Sequence, residues 1–177
     1  MALKKGIYII ECIPKTEDLR EGKLLYEFLN MFDKYSIELH QIRSKNDFIN
    51  ELYSNNSKVI HISCHGDTDD EGNFYMEMPK GIIYPADLYE DDGLKGRDVI
   101  LTACLLGHGD FANEFLDNTQ AKSLIAPMNE IDFSDSAMWC VNFYHHLFTR
   151  SSFSCGRSYD YMSNNFYVPG AMQMWEA

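Results

Sequence analysis

The sequence predicts an α/β fold, a mostly parallel central sheet with helices on both faces. Short apolar runs rich in β-branched residues alternate with segments of helical periodicity along the chain. Glycine and proline fall between these segments as punctuation. The first run is nearly continuous in apolar character, as a strand covered on both sides must be. Right-handed crossovers between parallel strands then place helices on both faces. A chain of 177 residues can bury an adequate core as one unit, so a single domain over 1–177 is expected.

Taken in order, Gly6 to Ile13 (GIYIIECI) is a central strand. Glu21 to Tyr35 places Leu24, Leu25, Phe28, Leu29 and Phe32 on one face of a helix. Ser36 to Ile42 follows as a strand. Ser44, with Asp47 three residues on, resembles a capping box that opens a helix with Phe48, Ile49 and Leu52 inward. Lys58 to Ser63 (KVIHIS) is the third strand. The acidic loop GDTDDEGN leads to a hairpin of FYMEM and GIIY, then a short helix at Pro85 to Asp92. Asp98 to Cys104 is the fourth main strand, Asp110 to Asn118 a short helix, Lys122 to Pro127 a fifth strand and Asp135 to Phe148 a long helix. From Arg150 on, the aromatic-rich pattern assigns no element.

Composition narrows the function. With 15 Lys plus Arg against 27 Asp plus Glu, the net charge of −12 repels a phosphate backbone and leaves nucleic acid out as a partner. The N-terminal apolar run is too short and too polar for a signal peptide, and no run approaches the roughly 20 residues of a membrane span. Five cysteines in apolar contexts imply free thiols in a reducing, cytoplasmic setting.

In open α/β sheets, chemistry sits at the carboxyl ends of the strands. The third strand ends at His65-Gly66 and the fourth at Cys104. If the two strands are neighbours, an imidazole faces a thiol and can draw off its proton to make a nucleophile. The Gly66 N–H, with that of Cys104, could then form an oxyanion hole; alternatively, Gly66 only opens the loop. Strand alternation sets His61, Ser63 and His65 on one face and Ile60, Ile62 and Cys64 on the other. Cys64 therefore reads as a small buried hydrophobe, and His61 as a hydrogen-bonded core histidine. Cys64, His65, Cys104 and His108 are all possible zinc ligands, but no Cys-x-x-Cys is present and residues 64 and 65 diverge, so no metal is assigned. His108 is either a second base or a solvated loop residue.

The order HISCHG, hairpin, VILTAC resembles that of the caspase-like, or clan CD, cysteine proteases. The downstream stretch SLIAPMNEIDFSDSAMWCVNFYHHLF is similar to the CHAT subgroup in Ile125-Ala126-Pro127, Asp132, Asp135, Ala137 and Phe143-Tyr144-His145-His146-Leu147. The resemblance spans roughly residues 58 to 148. It implies a caspase-like three-layer sandwich, with His65 as general base and Cys104 as nucleophile. It also implies a loop at Asp132 to Asp135 that helps form the pocket for the residue before the scissile bond. Acidic pockets in relatives such as separases and metacaspases accept basic residues, and Asp132 or Asp135 could hold one; either could instead cap the following helix. Arg20 stands where true caspases can place an arginine that receives aspartate. Leu105 follows Cys104 in place of the Arg-Gly or Ser-Gly of caspases and metacaspases.

The expected activity is thus a cytoplasmic cysteine endopeptidase acting on a protein substrate through a Cys-His dyad, without cofactor or membrane. By resemblance it would be controlled by a protein partner and belong to bacterial signalling or defence. A catalytically silent binding module on the same fold is the alternative. A nucleotide-binding or response-regulator-like domain shares the alternation, but no G-x-G-x-x-G or Walker sequence follows the first strand.

Overall fold

A computed structural model describes residues 3–89 and 93–177 of the chain. The first strand, β1 (Lys4–Glu11), is followed by α1 (Glu21–Leu29), β2 (Ser36–Gln41), α2 (Lys45–Ser54) and β3 (Ser57–Ser63). Three short strands come next, β4 (Gly66–Thr68), β5 (Phe74–Glu77) and β6 (Ile82–Ile83). A 3-10 turn at Pro85–Leu88 leads to β7 (Asp98–Thr102), α3 (Gly109–Thr119), β8 (Ser123–Pro127) and α4 (Phe133–Thr149). The chain closes with α5 (Cys155–Asn165), a 3-10 turn at Pro169–Ala171, and β9 (Met172–Glu176).

The main sheet has the order β2-β1-β3-β7-β8-β9. Its first five strands are parallel, and β9 closes the edge antiparallel to β8. Alternation of side chains across the pleat divides the core in two. On one face, Tyr8, Ile10, Ile62, Leu101 and Ala103 pack with Phe48 and Leu52 of α2 and Phe111 and Phe115 of α3. On the other, Ile7, Ile9, Val59 and Ile100 pack with Leu25 and Leu29 of α1, Phe143, Tyr144 and Leu147 of α4, and Met162 of α5. Each such fully buried side chain stabilises the fold by about 1.5–3 kcal/mol. The protein is therefore α/β, with a mostly parallel six-stranded sheet and helices on both faces.

Several boundaries differ from the sequence reading. The first helix stops at Leu29, because Asn30 turns its side-chain amide back onto the Tyr26 carbonyl (2.7 Å) and the next residues tighten into turns. The acidic loop after β3 is not all loop: Gly66–Thr68 pairs antiparallel with Phe74–Glu77, so the expected hairpin is a three-stranded sheet. Asp69 makes that pairing possible by accepting from the Glu71 and Asn73 backbone N–H groups at 2.9 Å each, which turns the chain. Of the short helix expected at Pro85 to Asp92, the first turn is 3-10, and Glu90 to Asp92 lie outside the described residues. The unassigned C-terminal stretch supplies α5 and the antiparallel edge strand. Among the described residues, no helix is long and apolar enough to cross a membrane.

Candidate active site

The third and fourth strands of the sequence reading are neighbours: β3 pairs β7 in parallel, with Ser63 opposite Thr102. Both chains leave the sheet within two residues of that pair, and His65 and Cys104 line one cavity of about 190 Å³. Its other walls come from the loop after β1 (Ile13, Glu17, Leu19), the first residue of α1 (Glu21), and the segment entering α4 (Ile131, Phe133, Ser136). A larger cavity of about 700 Å³ opens at the opposite end of the strands, beside Asn55 and Arg97, away from the thiol and the imidazole.

Cys104 is the one cysteine that is not buried. Burial pushes the thiols of Cys12, Cys64, Cys140 and Cys155 well up, which makes them poor nucleophiles. Cys64 packs in the α2/α3 core and also borders the cavity that Cys104 and His65 line, beyond the last residue of β3. The Cys104 sulfur accepts from the Ile131 backbone N–H at 3.5 Å. The next residue, Leu105, has φ of +69°, a left-handed conformation that costs a side-chain-bearing residue of order 1 kcal/mol or more. Its N–H reaches the Asn129 carbonyl at 3.4 Å, and the Gly107 N–H reaches Pro127 O at 2.7 Å, so contacts to the end of β8 hold the sharp exit from β7.

His65 is largely exposed, and its Nε2 donates to Glu17 Oε2 at 3.3 Å. Gly66 comes so close to the nucleophile that a Cβ there would lie 2.4 Å from the Cys104 carbonyl oxygen. Only glycine permits that approach. The Glu77 N–H donates to His65 O at 2.9 Å, so the next pair, Gly66 and Met76, is a non-hydrogen-bonded one. The Gly66 N–H therefore points away from β5, at the open edge of the small sheet. Gly66 and Cys104 share a second cavity of about 450 Å³ with Glu130, Ile131 and Asp132.

Under the first cavity lies a buried polar cluster. Glu21 is 4 % exposed, accepts from Ser136 Oγ at 2.8 Å, and approaches His61 Nε2 at 3.9 Å. His61 is hydrogen-bonded through Nδ1 to the Tyr144 hydroxyl at 2.8 Å. Burial lowers His61 to about 3, so it is neutral at pH 7 and its approach to Glu21 is no ion pair. Burial raises Glu21 to about 7, against the opposing pull of bonds from Thr102, Ser136 and Cys140. Burial raises Glu11 as well, although its carboxylate accepts from the Ile13 and Lys23 N–H groups at 3.3 and 3.2 Å.

The remaining candidates separate. Asp132 stands at the start of α4 but makes no capping bond with its side chain, so the capping role does not apply to it; it borders the second cavity. Asp135 lies one turn on and lines a different hollow, with Met138 and Trp139, away from Cys104. Helix α4 begins at Phe133, and its twist carries residue 135 round to the outer side. Arg20 turns its guanidinium to Gln41 at 3.3 Å and does not line the cavity. His108 precedes α3 and stacks on Phe74 with ring centroids 4.8 Å apart. Among the described residues, no group of three or more His, Cys, Asp or Glu could hold a metal ion.

Glu17 and Glu21 are site residues the sequence reading passed over. Their signal was position alone: both follow β1, at the carboxyl edge where ligands bind in open sheets. Fold and site together define an α/β protein with a thiol and an imidazole at the carboxyl ends of its two middle strands. Neither the models of known protein families nor the curated protein sequences give a match to this chain.

Proposed function

We propose that the chain is a cysteine endopeptidase of the caspase-like, CHAT type, acting through Cys104 and His65. The observation that carries this reading is the shared cavity at the ends of adjacent parallel strands, lined by one partly exposed thiol and one exposed imidazole. Glu17 holds Nε2 of His65, which leaves Nδ1 to take the Cys104 proton. The sulfur then attacks the substrate carbonyl carbon. The N–H groups of Gly66 and Cys104 hold the oxyanion. His65 returns the proton to the leaving amine as the C–N bond breaks. Water, deprotonated by His65, next cleaves the thioester and restores the thiol. No cofactor takes part.

The four other thiols are buried and unpaired, which supports a reducing, cytoplasmic setting. The acidic residues beside Cys104, namely Asp67, Glu130 and Asp132, favour a basic segment of a protein substrate or of a regulatory partner.

The test is the rate at which a small alkylating agent modifies each cysteine, followed by mass spectrometry, with peptide-library turnover in parallel. Cys104 is expected to react at least tenfold faster than the buried Cys12, Cys64, Cys140 and Cys155, and His65→Ala is expected to slow Cys104 at least tenfold while leaving the other four unchanged. Turnover should vanish in Cys104→Ala. A Cys104 rate unchanged by His65→Ala, or cleavage retained by both variants, would refute the dyad; no turnover by the wild type with equal labelling of all five cysteines would leave the silent binding module as the better reading.

A further inference from the structure

We propose that the C-terminal strand belongs to the reaction machinery, with Trp175 and Gly170 as positioning residues that hold the two chain segments flanking Cys104. This rests on the endopeptidase reading and adds to it two residues that line neither cavity at the thiol.

Two segments outside the helices and strands meet at Cys104. One is its own continuation, 105–108, which turns the chain from β7 into α3. The other is 128–132, between β8 and α4, where Ile131 donates its N–H to the Cys104 sulfur at 3.5 Å. A fixed N–H aimed at the attacking atom supports the charge it carries in the reaction, so the placement of Ile131 matters to the chemistry. The two segments are joined through Asn129, whose carbonyl accepts from the Leu105 N–H at 3.4 Å.

The C-terminal residues close both segments from outside. Trp175 Nε1 donates to Gly107 O at 3.0 Å, and its ring packs on Gly109, where a Cβ would lie 3.3 Å from Cη2. The Gly170 carbonyl accepts from the Asn129 N–H at 2.9 Å, so one peptide unit links Gly170 to Leu105. Gly170 has φ of +58°, and a Cβ there would lie 3.0 Å from the Cβ atoms of Ile131 and Pro127. Leu105 needs this bracing, because its left-handed backbone, with φ of +69°, persists only where the surroundings over-determine it. Pairing with β8, Trp175 opposite Leu124, would hold β9 without the indole N–H. The bond to Gly107 therefore serves the turn after the nucleophile rather than the strand.

The experiment uses the full chain with Trp175→Phe, Gly170→Ala and Trp175→benzothienylalanine, the last keeping the ring size and replacing the N–H by sulfur. Each is measured for kcat and KM on a peptide that the wild type cleaves, for the rate of Cys104 modification by iodoacetamide, and for urea stability. Each variant is expected to lower kcat and the Cys104 rate about tenfold, the scale of a sub-ångström misplacement of reacting groups. KM should stay within about twofold, since the binding walls are untouched. A purely structural role would instead lower the urea midpoint and leave kcat and the Cys104 rate of the folded protein unchanged, and that result would overturn the proposal. Should Trp175→Phe or Gly170→Ala fail to fold, the benzothienylalanine variant decides: full kcat without the N–H refutes the positioning role. Failure of the endopeptidase reading shows separately, as absence of wild-type turnover, and the iodoacetamide rates then decide the positioning by themselves.

Discussion

Replacing Gly66 by alanine adds one methyl group between the base and the nucleophile. The new Cβ would lie 2.4 Å from the carbonyl oxygen of Cys104 and 2.8 Å from Cγ of Leu106. An ordinary carbon to oxygen contact is about 3.3 Å, so the backbones must separate by about 0.9 Å. Neither partner is a flexible side-chain tip. Cys104 O belongs to the strained exit of β7, and Gly66 opens β4, whose pairing with β5 fixes its position. Overpacking of this kind costs about 1–3 kcal/mol of stability. The functional loss is expected to be larger, because a misplacement near 1 Å in a catalytic constellation can cost about 10²-fold in rate. Urea denaturation gives the first quantity, and the second-order rate of Cys104 modification by a small alkylating agent gives the second. A Gly66→Ala protein with both values unchanged would refute the close approach of the two strand ends and, with it, the oxyanion role of Gly66.

Two further outcomes are expected. Glu21 keeps its proton to about pH 7 in the fold but only to 4.5 when unfolded, so its contribution falls as pH rises through that window, by about 3 kcal/mol in all. His61 stays neutral to about 3 in the fold but is protonated below 6.5 when unfolded, so its contribution is lost as pH falls through that window. Between 4.5 and 6.5 the two slopes cancel. Glu21→Gln removes one of them, and its unfolding free energy should rise by about 3 kcal/mol relative to wild type between pH 4.5 and 6.5; parallel urea-stability curves would contradict the buried placement of Glu21. Glu17→Gln should slow Cys104 alkylation severalfold and leave thermal stability within about 0.5 kcal/mol, since the Glu17 to His65 pair is half-exposed; an unchanged alkylation rate would remove Glu17 from the mechanism.

Much of the protein was legible in the sequence because its signals are local. Apolar runs such as IYII and VIHI, and the Ser44 to Asp47 cap, which forms at 3.3 Å, depend on neighbours within one turn or one strand. Strand alternation placed Ile60 and Ile62 in the α2/α3 core because the period of two is a property of the backbone, but β3 stops at Ser63, and Cys64 and His65 beyond it border one cavity. The short β4 was not legible, since three residues beginning with glycine acquire strand character only by pairing with β5. The C-terminal strand is similar: MQMWE has no strong pattern of its own and is a strand because the edge of β8 accepts it.

The site divides along the same line. By itself the sequence determined that a His-Gly and an Ala-Cys stand just past two strands of an alternating α/β chain, although it ran those strands on to His65 and Cys104 where they stop at Ser63 and Thr102. Only the tertiary structure decided that β3 and β7 are neighbours, that Asp135 faces away, and that the carboxylate inside the cavity is Glu21. The loop after β1, the end of β7 and the entry to α4 are far apart in the chain. Their side chains meet because parallel strands gather distant segments at one edge of the sheet, and packing of α1 and α4 on the same face chooses which of them point inward.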